Sequence, residues 1–213
     1  MAQTVVWKEQ GVTIPIEAEA LALEGAWQAG EGQGGGVIAA PHPLYGGSLD
    51  HPVVNELAYA LYCEGLPSLR FNWRGVGASQ GEPSGDPAPA LADYAAAVEH
   101  LARTVRGPLV AAGYSFGAIA ALRAALADVR LRSLVLVAPP VRMLQGLALR
   151  ELERPLLIIA GTQDALAPVA GLRAALEGVA DARLELIEGA DHFFVSGLSA
   201  VVSAARAAVA GLS

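Results

Sequence analysis

One five-residue stretch, Gly113-Tyr114-Ser115-Phe116-Gly117, sets a serine between two glycines, each two residues away. An apolar run, Pro108-Leu109-Val110-Ala111-Ala112, leads into it, and an alanine-rich run of helical character, Ala118-Ile119-Ala120-Ala121-Leu122, leads out. A serine at a sharp strand-to-helix turn takes a strained backbone conformation, and its second neighbours must be small enough to pass close by. Such a turn lifts the hydroxyl above the carboxyl edge of a sheet and aims the next helix's N-terminus at developing negative charge. The chemistry this suits is nucleophilic attack by Ser115 Oγ on an acyl carbon.

A serine hydroxyl is a poor nucleophile until a base takes its proton. His192, in Gly189-Ala190-Asp191-His192-Phe193-Phe194, follows the last apolar run and precedes the last helical stretch, which puts it on the same sheet edge. His100 falls within a helical pattern and His51 near a helix start, where packing and capping are their expected roles. The third member must accept from the histidine and hold its tautomer. Asp164 follows the penultimate apolar run, whereas Asp191 is adjacent to His192 and is awkwardly placed to reach its ring, so it is read as shaping the loop. No carboxylate competes after the run at 133–138, which ends in Pro139-Pro140.

Two backbone N–H groups are needed for the oxyanion of a tetrahedral intermediate. Phe116, next to the nucleophile, is expected to supply one. The other is expected from Pro41-His42-Pro43-Leu44-Tyr45-Gly46-Gly47-Ser48, where Pro43 has no N–H and Leu44 or Tyr45 is the donor. His42 either contacts substrate or braces this loop. Tyr45 either donates its hydroxyl to a bound substrate or lines the pocket wall, and Tyr114 and Met143 are further pocket candidates.

Three loops can meet only if regular elements bring them together. Short apolar runs at 36–40, 68–73, 108–112, 133–138, 155–160 and 183–187 read as strands, most of them buried on both faces. Helical patterns fill 51–64, 88–104, 116–127, 168–178 and 194–211, with Asp93 and Pro168 near expected helix starts. Strand alternating with helix predicts an α/β domain built on a mostly parallel sheet of about seven or eight strands. Val5-Val6-Trp7-Lys8, Ile14-Pro15-Ile16-Glu17 and 20–27 are expected to add antiparallel strands at one edge, within a single domain spanning 1–213. The Gly-rich segment 30–36 precedes a strand, so it reads as a flexible connector; a phosphate-cradling loop would follow one.

Composition narrows the function classes. A net charge of −7 and 16 % charged residues, with Lys8 the single lysine, give no basic face for nucleic acid or an anionic membrane. Cys63, the one cysteine, makes neither an internal disulfide nor a cysteine-based zinc site, and it has no partner for redox work. The first nine residues lack a basic-then-apolar leader pattern, and no apolar run approaches the roughly 20 residues of a membrane span, so a cytoplasmic protein is expected. Neither metal nor cofactor is called for. An edge strand leaves pairing into a homodimer open.

With these residues in hand, the chain resembles the α/β-hydrolase superfamily over essentially its whole length, closest to a small bacterial group related to dienelactone hydrolases and serine-peptidase-like esterases. The likeness rests on 41–47, on Phe71-Asn72-Trp73-Arg74-Gly75-Val76-Gly77-Ala78-Ser79, on the Gly113–Gly117 elbow and on Ala190–Phe194. It implies a Ser115–His192–Asp164 triad and a structural role for Arg74. Dienelactone hydrolases proper use a cysteine nucleophile, so Ser115 argues against that activity. Only 141–154 separate two late strands, too few residues for a lid domain, so the pocket is expected to be open, roofed at most by Met143, Leu144, Leu147 and Leu149. Short-chain or bulky soluble esters fit such a site. Amides, thioesters and acyl transfer use the same apparatus. A non-catalytic binding protein of this fold would be expected to have lost a triad member, and none is missing.

Overall fold

The computed structural model describes residues 8–212. Eight strands form one sheet: β1 (Glu9–Ile16), β2 (Leu21–Gln28), β3 (Gly35–Ala39), β4 (Ser68–Phe71), β5 (Leu109–Tyr114), β6 (Leu131–Val137), β7 (Leu156–Gly161) and β8 (Ala182–Ile187). Their order is β1-β2-β4-β3-β5-β6-β7-β8. β1 and β2 pair antiparallel, β2 meets β4 antiparallel, and every other pairing is parallel. The residues of β3, β4, β5 and β7 are all buried, which is why these segments read as continuous apolar runs. β8 closes one edge and alternates between half-buried and exposed positions.

Among the described residues, six helices cover the sheet: α1 (Pro52–Cys63), α2 (Pro87–Ala102), α3 (Phe116–Ala127), the single turn α4 (Val141–Leu144), α5 (Val169–Leu176) and α6 (Leu198–Val209). α1 and α6 pack together against the sheet, as do α2 and α3. This is the α/β-hydrolase architecture that the sequence implies. Residues 138–155 carry only α4 and a short 3-10 turn between β6 and β7, so no lid domain is inserted there. No described helix is long and apolar enough to cross a membrane.

Three local readings need correction. Asp93 does not start a helix; α2 begins at Pro87 after Asp86, because proline's fixed φ and missing N–H suit a first turn. α6 starts at Leu198, not 194, since Phe194 has φ 51° and Gly197 φ 101°, both incompatible with a helix there. The connector at 30–36 runs close to neighbouring backbone. A Cβ on Gly30 would lie 2.4 Å from Gly65 O, and one on Gly34 would lie 2.7 Å from Pro108 O. Its glycines serve close backbone approach. Of the expected N-terminal strands, Val5-Val6-Trp7 lies outside the described residues, and Glu17 falls in a 3-10 turn after β1.

Two arginines, Arg70 buried and Arg74 half-buried, tie the antiparallel edge to the parallel body. Arg70 of β4 is 4 % exposed; it donates to Leu49 O at 2.7 Å, to Asn55 Oδ1, and to Glu9 Oε1 at 2.5 Å. Arg74 donates from Nε and Nη2 to Asp93 Oδ1 at 2.9 and 2.7 Å, from its own N–H to Asp93 Oδ2 at 2.9 Å, and reaches Glu19. Arg74 is thus the structural anchor that the resemblance implies.

Candidate active site

β3, β5, β7 and β8 end at one edge of the sheet: Ala39 sits opposite Gly113, and Gly161 opposite Ile187. The loops that follow carry the side chains singled out from the sequence. Ser115 sits between β5 and α3 with φ 54° and ψ −116°, a left-handed conformation that costs a non-glycine residue free energy. Its N–H donates to Val137 O at 2.8 Å, which fixes the turn to β6. A Cβ on Gly113 would come within 2.4 Å of the Gly117 backbone, and one on Gly117 within 2.4 Å of the Ala39 and Ala40 carbonyl oxygens. Both flanking glycines are therefore required by backbone contact.

Ser115 Oγ lies 3.0 Å from His192 Nε2, and His192 Nδ1 lies 2.7 Å from Asp164 Oδ2. All three residues are buried, at 8 %, 8 % and 4 % exposure. The other carboxylate oxygen, Oδ1, accepts from the N–H groups of Leu166 and Ala167 at 2.8 Å each. With Oδ1 so engaged, Oδ2 accepts the Nδ1 proton and leaves the Nε2 lone pair facing Ser115. Asp191 shapes the loop, as expected: its Oδ1 accepts from Phe193 N–H at 3.1 Å and from Val195 N–H at 3.5 Å.

The remaining candidates fall into different roles. Phe116, whose N–H begins α3, is nearly buried, with its ring 4.7 Å from the ring of His42. The two other amides expected to face the oxyanion are both engaged inside their own 3-10 turn. Leu44 N–H donates to His42 Nδ1 at 3.2 Å, and Tyr45 N–H donates to His42 O at 3.1 Å. Of the amides from Pro41 to Tyr45, that of His42 alone has no protein acceptor among the described residues. Its ring braces the loop, and burial pushes its pKa below the ordinary value.

Tyr114 does not line a substrate pocket. It is 2 % exposed, and its hydroxyl donates to the backbone oxygen of His192 at 2.8 Å. Adjacent residues on a strand point to opposite faces, and the register of β5 turns Tyr114 inward beneath the histidine loop. Its far side meets the ring of His51 at 4.7 Å. His51 caps α1 by accepting from Val53 N–H at 3.3 Å.

Met143 lies half-buried and shares a small cavity with Phe116, Ile119 and Arg123. The rest of the expected roof is elsewhere. Leu144, Leu147 and Leu149 line a groove against Gly171, Ala174 and Ala175 of α5 whose walls include neither Ser115 nor His192. Among the described residues, no group of three or more His, Cys, Asp or Glu side chains converges to hold a metal ion.

Comparison with known proteins gives this geometry its relatives. A family model described as an alpha/beta hydrolase domain matches residues 45–207. The chain belongs to that family. Among solved structures, an alpha-beta serine hydrolase homologue from Coxiella burnetii superposes with a TM-score of 0.86 at 29 % identity, covering 96 % of this chain and 99 % of that one. A protein from Xanthomonas campestris, described as an a/b serine hydrolase without lid, gives 0.79 at 28 % identity over 95 % and 94 % of the two chains. A dienelactone hydrolase from Anabaena variabilis shares the fold with a TM-score of 0.79 at 23 % identity, covering 95 % and 97 %. This alpha/beta hydrolase domain thus lies among alpha/beta serine hydrolase homologues, one of them described as without a lid, the superfamily that the four sequence motifs imply.

Proposed function

We propose that the protein is a serine hydrolase that cleaves carboxylic esters through an acyl-enzyme. The observation that carries this reading is the continuous chain from Ser115 Oγ through His192 to Asp164, at 3.0 and 2.7 Å, on a strained elbow. Ser115 Oγ attacks the ester carbon as its proton passes to His192 Nε2, giving a tetrahedral oxyanion. Asp164 accepts from His192 Nδ1–H throughout and stabilises the imidazolium. Collapse breaks the ester C–O bond, and Nε2–H protonates the departing alkoxide. Water then repeats the sequence on the acyl-serine, with His192 taking its proton and returning one to Ser115.

Phe116 N–H, at the positive end of α3, is one oxyanion donor in this reading. The second is assigned to His42 N–H in place of Leu44 or Tyr45, whose amides are spent inside the turn. The neighbouring contact of the His42 and Phe116 rings supports that pairing.

The test is active-site titration with a fluorophosphonate, read by intact mass. One adduct per chain, absent in Ser115→Ala, is expected. No adduct on folded wild-type protein would remove the hydrolase reading and leave a binding protein of the same fold.

A further inference from the structure

Seven large apolar side chains stand exposed among the described residues, and five of them lie on the loops after β3, β7 and β8 that carry His42, Asp164 and His192: Leu44, Tyr45, Leu166, Phe193 and Val195. Single exposed apolar residues are ordinary, but a cluster around one site calls for an occupant. Phe193 and Val195 are the most informative, because the chain holds them out at a cost. Phe194 between them takes φ 51°, unusual for an aromatic residue, and turns its own ring inward to 1 % exposure. Asp191 Oδ1 receives the N–H groups of both flanking residues and fixes the turn. The outcome is Phe193 at 66 % and Val195 at 86 % exposure, with the Phe193 ring edge-on to the His192 ring at 5.7 Å.

Acyl transfer assigns a side to each part of an ester. His192 Nε2 must protonate the departing alkoxide, so the leaving oxygen comes within hydrogen-bond reach of that nitrogen. The group attached to that oxygen then lies against whatever flanks His192. We infer that the site takes esters whose alcohol portion is bulky and apolar, with an aromatic or cycloalkyl group seated on Phe193 and Val195. The occupant is the leaving alcohol, continuous with the reacting atoms, and it needs no enclosed pocket. This rests on the hydrolase reading above and specifies its substrate class.

The experiment keeps the acyl group and the basicity of the leaving alcohol constant and varies only apolar size. Ethyl acetate, 2-phenylethyl acetate and 2-(1-naphthyl)ethyl acetate form such a series, because the aryl ring is insulated from the oxygen by two methylenes. Covering one face of a ring removes enough apolar area to raise kcat/KM by about tenfold per ring step, mostly through KM. Phe193→Ser is expected to compress that ratio severalfold and Val195→Ser to compress it less, while Val129→Ser, an exposed apolar residue after α3, leaves it unchanged.

A flat series in wild-type protein that still gives one fluorophosphonate adduct would overturn the inference and leave the hydrolase reading intact. No adduct and no turnover would overturn both. A flat series together with a dimer in sedimentation that Phe193→Ser dissociates would reassign the patch to a second copy of the chain, and the inference would fail.

Discussion

Asp93 and Asp164 are buried almost equally, at 1 % and 4 % exposure, yet they answer to opposite demands. Asp93 faces a full positive charge: Arg74 grips it with two guanidinium bonds and a backbone N–H. Burial still pushes its carboxyl above the ordinary range, and Arg74 works against that shift. Asp164 has no arginine or lysine beside it among the described residues. Its partners are two backbone N–H groups and the His192 ring, which in the proposed reaction takes the Ser115 proton. A carboxylate locked to an arginine is complete and belongs to the architecture. One held by neutral donors keeps part of its interaction energy for a charge that has yet to form.

Replacing one atom in each carboxylate separates the two roles. In Asp164→Asn the Leu166 and Ala167 amides still require an acceptor at Oδ1, so the new NH₂ must take the Oδ2 position facing His192 Nδ1. The ring then has to accept there and carry its proton on Nε2, where it cannot serve Ser115. kcat on an activated ester should fall by about 10⁴ with the melting temperature within a few degrees of wild type. Retained activity would mean that Asp164 is as architectural as Asp93.

The next largest effect concerns the neutral donors. His42 has φ −61°, a value that proline also adopts, so His42→Pro removes the amide N–H at an angle the chain already holds. His42→Ala removes only the ring and releases Leu44 N–H from its bond to Nδ1. If the His42 amide stabilises the oxyanion, the proline variant should lose a further 10²–10³, roughly, in kcat beyond the alanine variant, with KM little changed. Equal losses would return the role to Leu44 or Tyr45.

Asp93→Asn is the architectural counterpart. It keeps the shape and one acceptor but removes the charge that meets Arg74, leaving Glu19 as that side chain's carboxylate partner. Chemical denaturation should report a loss of about 2–3 kcal/mol, while kcat on the remaining folded protein stays near wild type. A drop in kcat at unchanged stability would erase the distinction between the two aspartates.

The site was more legible in the sequence than the anchor because its signals are local. Glycines flank Ser115 because backbone passes within contact distance on both sides, and His192 and Asp164 each follow a strand that announces itself by apolarity. Arg70 and Arg74 are different. Their partners lie 61 and 19 residues away, and nothing near a buried arginine in a sequence says which carboxylate will meet it. Tyr114 turns inward, away from a pocket wall, because its direction depends on the register of β5 against β6 and on where the histidine loop comes to rest. The loop at 41–48 was legible only in part. Residue types excluded Pro43, but only the turn geometry reveals that His42 consumes the two amides after it.

The smallest effect follows from histidines held neutral. His42, His51 and His100 all have pKa values pushed below the ordinary one, first by burial, with His192 adding to the shift at His51 and Arg103 at His100. In the unfolded chain these rings take protons near pH 6.5, roughly, whereas in the fold they resist. The unfolded state therefore binds more protons as pH falls through that value, and stability must fall with it. Thermal melts should be level from pH 8 to 7 and decline toward pH 5. His51→Asn keeps a side chain able to cap α1, since asparagine accepts from the same first-turn amides, yet it cannot take a proton. That variant should lose less melting temperature than wild type between pH 7 and 5. An equal loss would move the pH sensitivity away from the Tyr114 side of the site and onto His42 and His100.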